Sequence, residues 1–173
     1  MDELYRAILA LDRPPGPAVR ALRLGDWALR LEGLDAELLA TLERRWGAFL
    51  QPAGGDPPRA TLRLHRADAP RFLTRTPAGE LYRVEARNAA EERVIVSYHF
   101  AVVAEDRGRV FRLALAAQAE EPAGRVVENA VRVIAARLAA EDGGFALHAG
   151  GVLRGGRAYL LAGPSGAGKT TAV

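Results

Sequence analysis

Near the C-terminus the sequence reads Gly163-Pro164-Ser165-Gly166-Ala167-Gly168-Lys169-Thr170-Thr171, and no other stretch constrains the chain as strongly. It satisfies G-x-x-x-x-G-K-[ST], a pattern with a definite physical setting: an apolar strand runs into a glycine-rich loop that opens a helix. Glycine lets successive backbone N–H groups turn inward as a nest for phosphate oxygens at the positive helix end. The residues just ahead supply the strand. Phe145 to Ala162 reads as strand, Gly155-Gly156 turn, strand. In this setting Gly163 to Gly168, with Pro164 and Ala167 inside the loop, form the phosphate cradle. Lys169 reaches the β- and γ-phosphates and the Thr170 hydroxyl is the expected Mg²⁺ ligand. Ser165 is expected to hydrogen-bond within the loop, and Thr171 to touch the α-phosphate. Lys169 is the only lysine among 24 basic residues, placed where a compact, flexible ammonium serves better than a guanidinium fork.

The rest of the composition narrows the classes. The chain has 173 residues and no cysteine, which excludes a disulfide scaffold, a cysteine zinc site and a thiol nucleophile. A reducing compartment is permitted, and the cytoplasm is the expected location. The net charge is only +3, and arginines are interleaved with Asp and Glu along the whole length rather than clustered, so the electrostatic footprint of a nucleic-acid binder is weak. The N-terminus is acidic where a signal peptide would be basic, and no apolar run approaches the roughly 18 residues of a membrane span. Neither a nucleic acid nor a membrane is an expected partner.

Upstream, periodicity predicts a short helix over 2–11 with Leu4, Ile8 and Leu11 on one face, stopped by Pro14-Pro15-Gly16-Pro17. A hairpin follows, Leu22 and Leu24 turning at Gly25-Asp26 into Trp27, Leu29 and Leu31. Asp35 is placed to cap a helix carrying Leu38, Leu42, Trp46 and Phe49. Further strands are predicted over 61–65, 81–86, 94–103 and 110–115, the last two joined through Asp106-Arg107-Gly108. The 94–103 strand is apolar on both faces and is expected to be central and covered on both sides. A helix over 125–141 buries Val127, Val131, Ile134 and Leu138 and stops at Gly143-Gly144; its Glu128–Arg132 pair reads as a solvated face. Trp27, Trp46 and Tyr98 are core candidates, and His65 and His99 read as structural residues. The expected fold class is α+β, a mainly antiparallel sheet with a few helices over 1–141. It runs into the opening hairpin and P-loop of an incomplete α/β nucleotide-binding domain at 142–173.

A P-loop alone does not name a reaction. The phrase Val126-Val127-Glu128-Asn129-Ala130, the helix after it, and Leu147-His148-Ala149 through Thr171 together resemble the HPr kinase/phosphorylase-like P-loop kinases, related in fold to phosphoenolpyruvate carboxykinases. The resemblance is strongest to the bacterial HPr-kinase-related proteins. It covers about 50 residues as an order of magnitude, and the region before it is similar only in layout. The resemblance implies a Mg-ATP-dependent serine kinase acting on a protein or peptide, with ATP and Mg²⁺ bound at the loop. It also implies an active-site role for His148, in positioning or proton transfer.

The sequence ends at Val173, before the strand that should deliver a Mg²⁺-holding aspartate. The chain is therefore expected to be the N-terminal part of a longer protein, too short as given for phosphoryl transfer. Two other readings stay open. In one, the N-terminal sheet is a partner- or peptide-binding module and the P-loop only senses nucleotide or is vestigial. In the other, the chain is the start of an ABC-type ATPase, which explains neither the long N-terminal region nor His148.

Overall fold

The computed structural model describes residues 3–11, 14, 16–55, 57–67, 72–73, 84–89, 92–117, 123–147 and 149–164. They divide into two compact units, 1–130 and 131–173, with the division inside a helix. Unit one opens with α1 (Glu3–Leu9), then the hairpin β1 (Ala18–Leu24) and β2 (Trp27–Leu34), α2 (Ala36–Trp46) and the short β3 (Leu50–Pro52). It continues through β4 (Ala60–Ala67), β5 (Glu85–Ala89), β6 (Glu92–Val96), β7 (Phe100–Glu105) and β8 (Val110–Ala116) into α3 (Ala123–Glu141). The eight strands form one sheet in the order β3-β1-β2-β4-β8-β7-β6-β5. Pairing is antiparallel except at its centre, where β2–β4 and β4–β8 run parallel. The expected α+β class with a mainly antiparallel sheet and few helices is what the chain adopts.

Local chemistry accounts for the elements. Gly25 takes φ +64 in the two-residue turn between Leu24 and Trp27, a first-position glycine of the type II′ kind that suits hairpin twist. Asp35 caps α2 through Oδ1, which accepts from the Leu38 N–H at 2.8 Å and satisfies one of the donors a helix start leaves open. Leu38 and Leu42 are buried as their spacing predicts. Phe49 is not: Gly47, at φ +51, ends α2, and Phe49 sits 66% exposed in a short 3-10 turn. The expected strand over 94–103 is two strands. Ser97 to His99 turn the chain, the Ser97 N–H donating to the Phe100 carbonyl at 2.8 Å, and β6 and β7 pair back to back. Strand β5 runs 85–89 rather than 81–86, and 81–83 lie outside the described residues. Strand β3 carries no sequence signal; it is recruited by register with β1, Leu50 opposite Leu22.

Alternation sorts the sheet into two faces. One presents Leu29, Leu31, Leu62, Leu64, Phe111, Leu113 and Leu115, all buried, and Arg20 of β1 is tied to Glu43 of α2 at 3.1 Å. The first turns of α3 join α2 through Arg45 and Glu128, so Glu128 belongs to a tertiary pair as well as to the helix surface expected of it. On the other face α1 inserts Tyr5 and Ile8 among Val94, Val96, Ala101, Val103, Ala114 and Ala67. Trp27, Trp46 and Tyr98 are only half-buried; the core is aliphatic with Phe100 and Phe111.

Unit two contains the rest of α3 and a hairpin, β9 (Ala149–Arg154) with β10 (Arg157–Ala162). The stripe Val127, Val131, Ile134 and Leu138 is buried, as the helical spacing predicts. Gly143 at φ +78 ends α3, with the Gly144 N–H on the Ala139 carbonyl at 2.7 Å and the Gly143 N–H on the Ala140 carbonyl at 3.1 Å. These two bonds are the Schellman pair that closes a helix on a left-handed glycine.

Candidate functional site

The strand, glycine turn and strand expected before the P-loop are all present. Gly155 and Gly156 sit at φ +57 and +72, the two positive values a type I′ turn requires and that only glycine takes without strain. With the turn set, register follows: Arg154 opposes Arg157, and at the open end Ala149 opposes Ala162. The hairpin therefore brings together the residue after His148 and the residue before Gly163, so two motifs separated in sequence start from one place in space. Gly163 and Pro164 leave the end of β10 exposed to solvent. His148 and Ser165 to Thr171, the remaining expected site residues, lie outside the described residues. Leu153, Tyr159 and Leu160 of the hairpin are exposed, as are Phe145 and Leu147 ahead of it in sequence.

A second constellation, in unit one, was not expected. One cross-strand row on the α1 face runs Val19, Glu32, Arg63, Arg112, Val103 over β1, β2, β4, β8 and β7. Glu32 bridges two guanidiniums, accepting from Arg30 Nε at 2.7 Å and Arg63 Nε at 3.1 Å. Arg112 Nε donates to Glu105 at 2.5 Å, and its Nη1 donates to the carbonyls of Leu9 and Leu11 at 2.9 and 3.2 Å. His65, 6% exposed, lines the same cleft; it was read as structural, and burial agrees. The two arginines occupy the polar positions of alternating strands, which sequence reading takes for a solvated face. Only the parallel register of β4 with β8 sets them side by side.

Partial burial pushes the Glu32 carboxyl up, but hydrogen bonds and charge from Arg30 and Arg63 outweigh it, and the group titrates below its ordinary 4.5. A carboxylate held low in the folded state stabilises the fold above its unfolded pKa, and that contribution is lost as pH falls through the folded value. Glu32→Gln is therefore expected to lower the melting temperature by a constant, small amount from neutral pH down to about 4.5. The gap from wild type should close below that. A gap that widened on acidification would contradict the ion-pair assignment.

No known protein family matches this chain, and neither the curated proteins nor the solved structures contain a significant match to it. Among the described residues no helix is long and apolar enough to cross a membrane.

Proposed function

We propose that this chain carries the phosphate-gripping part of a Mg-ATP-dependent kinase of the HPr kinase/phosphorylase type, which phosphorylates a hydroxyl, a serine on a protein or peptide. The observation that supports this reading most directly is the β9–β10 register, which sets Ala149 against Ala162 and so starts the His148 and Gly163 segments from one hairpin end. The exposed apolar hairpin also suits the opening strands of a larger nucleotide-binding sheet.

The N–H groups of Gly163 to Gly168 bind phosphate oxygens, and the Lys169 ammonium neutralises charge on the β- and γ-phosphates. Thr170 would hold the metal through its hydroxyl, while Ser165 would hydrogen-bond within the loop and Thr171 would contact the α-phosphate. His148 orients the acceptor hydroxyl and takes its proton as the acceptor oxygen bonds to the γ-phosphorus and the bond to the β–γ bridging oxygen breaks. Mg²⁺, when bound, draws charge from the phosphoryl oxygens.

The test is incubation of the full gene product with Mg-ATP labelled on the γ-phosphate and a panel of serine-containing peptides. Phosphoserine formation that falls about a hundredfold in His148→Ala is expected. Nucleotide binding should survive that substitution. Absence of saturable Mg-ATP binding would end the proposal.

A further inference from the structure

Two arginines lie side by side on the α1 face of the sheet without a carboxylate of the described residues between them. Arg63 of β4 and Arg112 of β8 are register partners on strands about 4.8 Å apart, a placement that is unfavourable for like charges. The flanking carboxylates stand outside the pair, Glu32 on β2 beyond Arg63 and Glu105 on β7 beyond Arg112. Counting the bonded groups, Arg30, Arg63 and Arg112 meet Glu32 and Glu105, which leaves one positive charge. Over this floor lies a cleft of about 420 Å³, within the roughly 300–1,000 Å³ that small-molecule sites occupy. Leu11, Pro14, Gly16 and Pro17 line it from the N-terminal side of β1, and Arg112 donates to the Leu9 and Leu11 carbonyls at the end of α1. The walls are apolar, with Leu11, Pro14, Pro17 and Val19 among the lining residues.

We propose that this cleft binds a small amphipathic carboxylate, its charged group between the Arg63 and Arg112 guanidiniums and its apolar body against Leu11, Pro14, Pro17 and Val19. A planar carboxylate matches the guanidinium fork. One negative charge neutralises the surplus, where a phosphate dianion would overshoot it. The apolar walls reward a hydrocarbon body and give free inorganic anions little hold. The site stands wholly in unit one and does not depend on the kinase reading.

The test compares benzoate with benzamide, which has nearly the same shape and no charge, by calorimetric titration and by backbone amide shifts. Benzoate is expected to saturate, with shifts centred on Val19, Glu32, Arg63 and Arg112, and benzamide to bind about tenfold more weakly or worse. Arg63→Gln should remove most of that difference. The Arg63 side chain is 45% exposed, so the substitution leaves the sheet intact, which a melting curve checks. Val19→Phe, which fills the cleft and leaves every charge in place, should weaken both ligands. Equal affinity for the two probes, no saturation by benzoate, or undiminished benzoate binding by either variant would each overturn the proposal. Mg-ATP binding is the separate readout for the P-loop and is expected to be unchanged in both variants.

Discussion

Phe111→Ala is expected to destabilise unit one by about 3–5 kcal/mol, the largest stability loss from any single substitution considered for this chain. Phe111 is 2% exposed on β8, a strand hydrogen-bonded on both sides, to β4 through the Leu62 position and to β7 through Ala104. Truncation removes the transfer free energy of an aromatic ring and leaves a cavity that neither neighbour can close, because both are fixed by ladders. Phe49→Ala gives the contrast. Its ring is 66% exposed beyond the end of α2, and the expected loss is under about 0.5 kcal/mol. Urea denaturation of the two variants checks this: the midpoint falls sharply for the first and hardly for the second, with the slope unchanged in both. A Phe111→Ala loss below about 1 kcal/mol would mean that β8 is not the centre of a close-packed core.

What the sequence makes legible here is what local chemistry decides. Asp35 before an amphipathic run, Gly143 after one and Gly155-Gly156 between apolar strands each act within a few residues, and the structure uses all of them as read. The misreadings have nonlocal causes. Residues 94–103 are apolar on both faces wherever the chain turns, so periodicity cannot show that Ser97 to His99 split them. Periodicity carried Phe49 into the core, but the positive φ of Gly47 had already broken the helical phase. The Arg45 partner of Glu128 goes unseen because it stands 83 residues away on α2. The arginine row is hidden for the same reason: Arg63 and Arg112 meet only through a parallel register that no local pattern encodes. The G-x-x-x-x-G-K-[ST] pattern is the opposite case. Its spacing is legible without any tertiary information, while the described residues reach only its Gly163 and Pro164.

Lys169→Ala is expected to weaken Mg-ATP binding by roughly ten- to a hundredfold, the affinity equivalent of losing one charge-assisted hydrogen bond of about 1.5–3 kcal/mol. The charge-conserving Lys169→Arg makes the test specific. A guanidinium keeps the positive charge but replaces a compact ammonium on a flexible stem with a rigid planar fork. If Lys169 acted only as part of a basic surface, arginine, the residue at all the other Lys/Arg positions of this sequence, would restore binding fully. If it reaches into a close backbone nest, the fork does not fit, and Lys169→Arg should bind Mg-ATP about tenfold more weakly than wild type and transfer no phosphoryl group. Both variants are expected to melt with the wild type, the buried core of the described residues being formed by unit one and α3. Fluorescent Mg-nucleotide titration reads all three proteins under one condition. Wild-type affinity in Lys169→Ala would show that the loop does not grip phosphate, and the kinase proposal would go with it. Full recovery in Lys169→Arg would leave nucleotide binding standing and remove the nest geometry on which phosphoryl transfer depends.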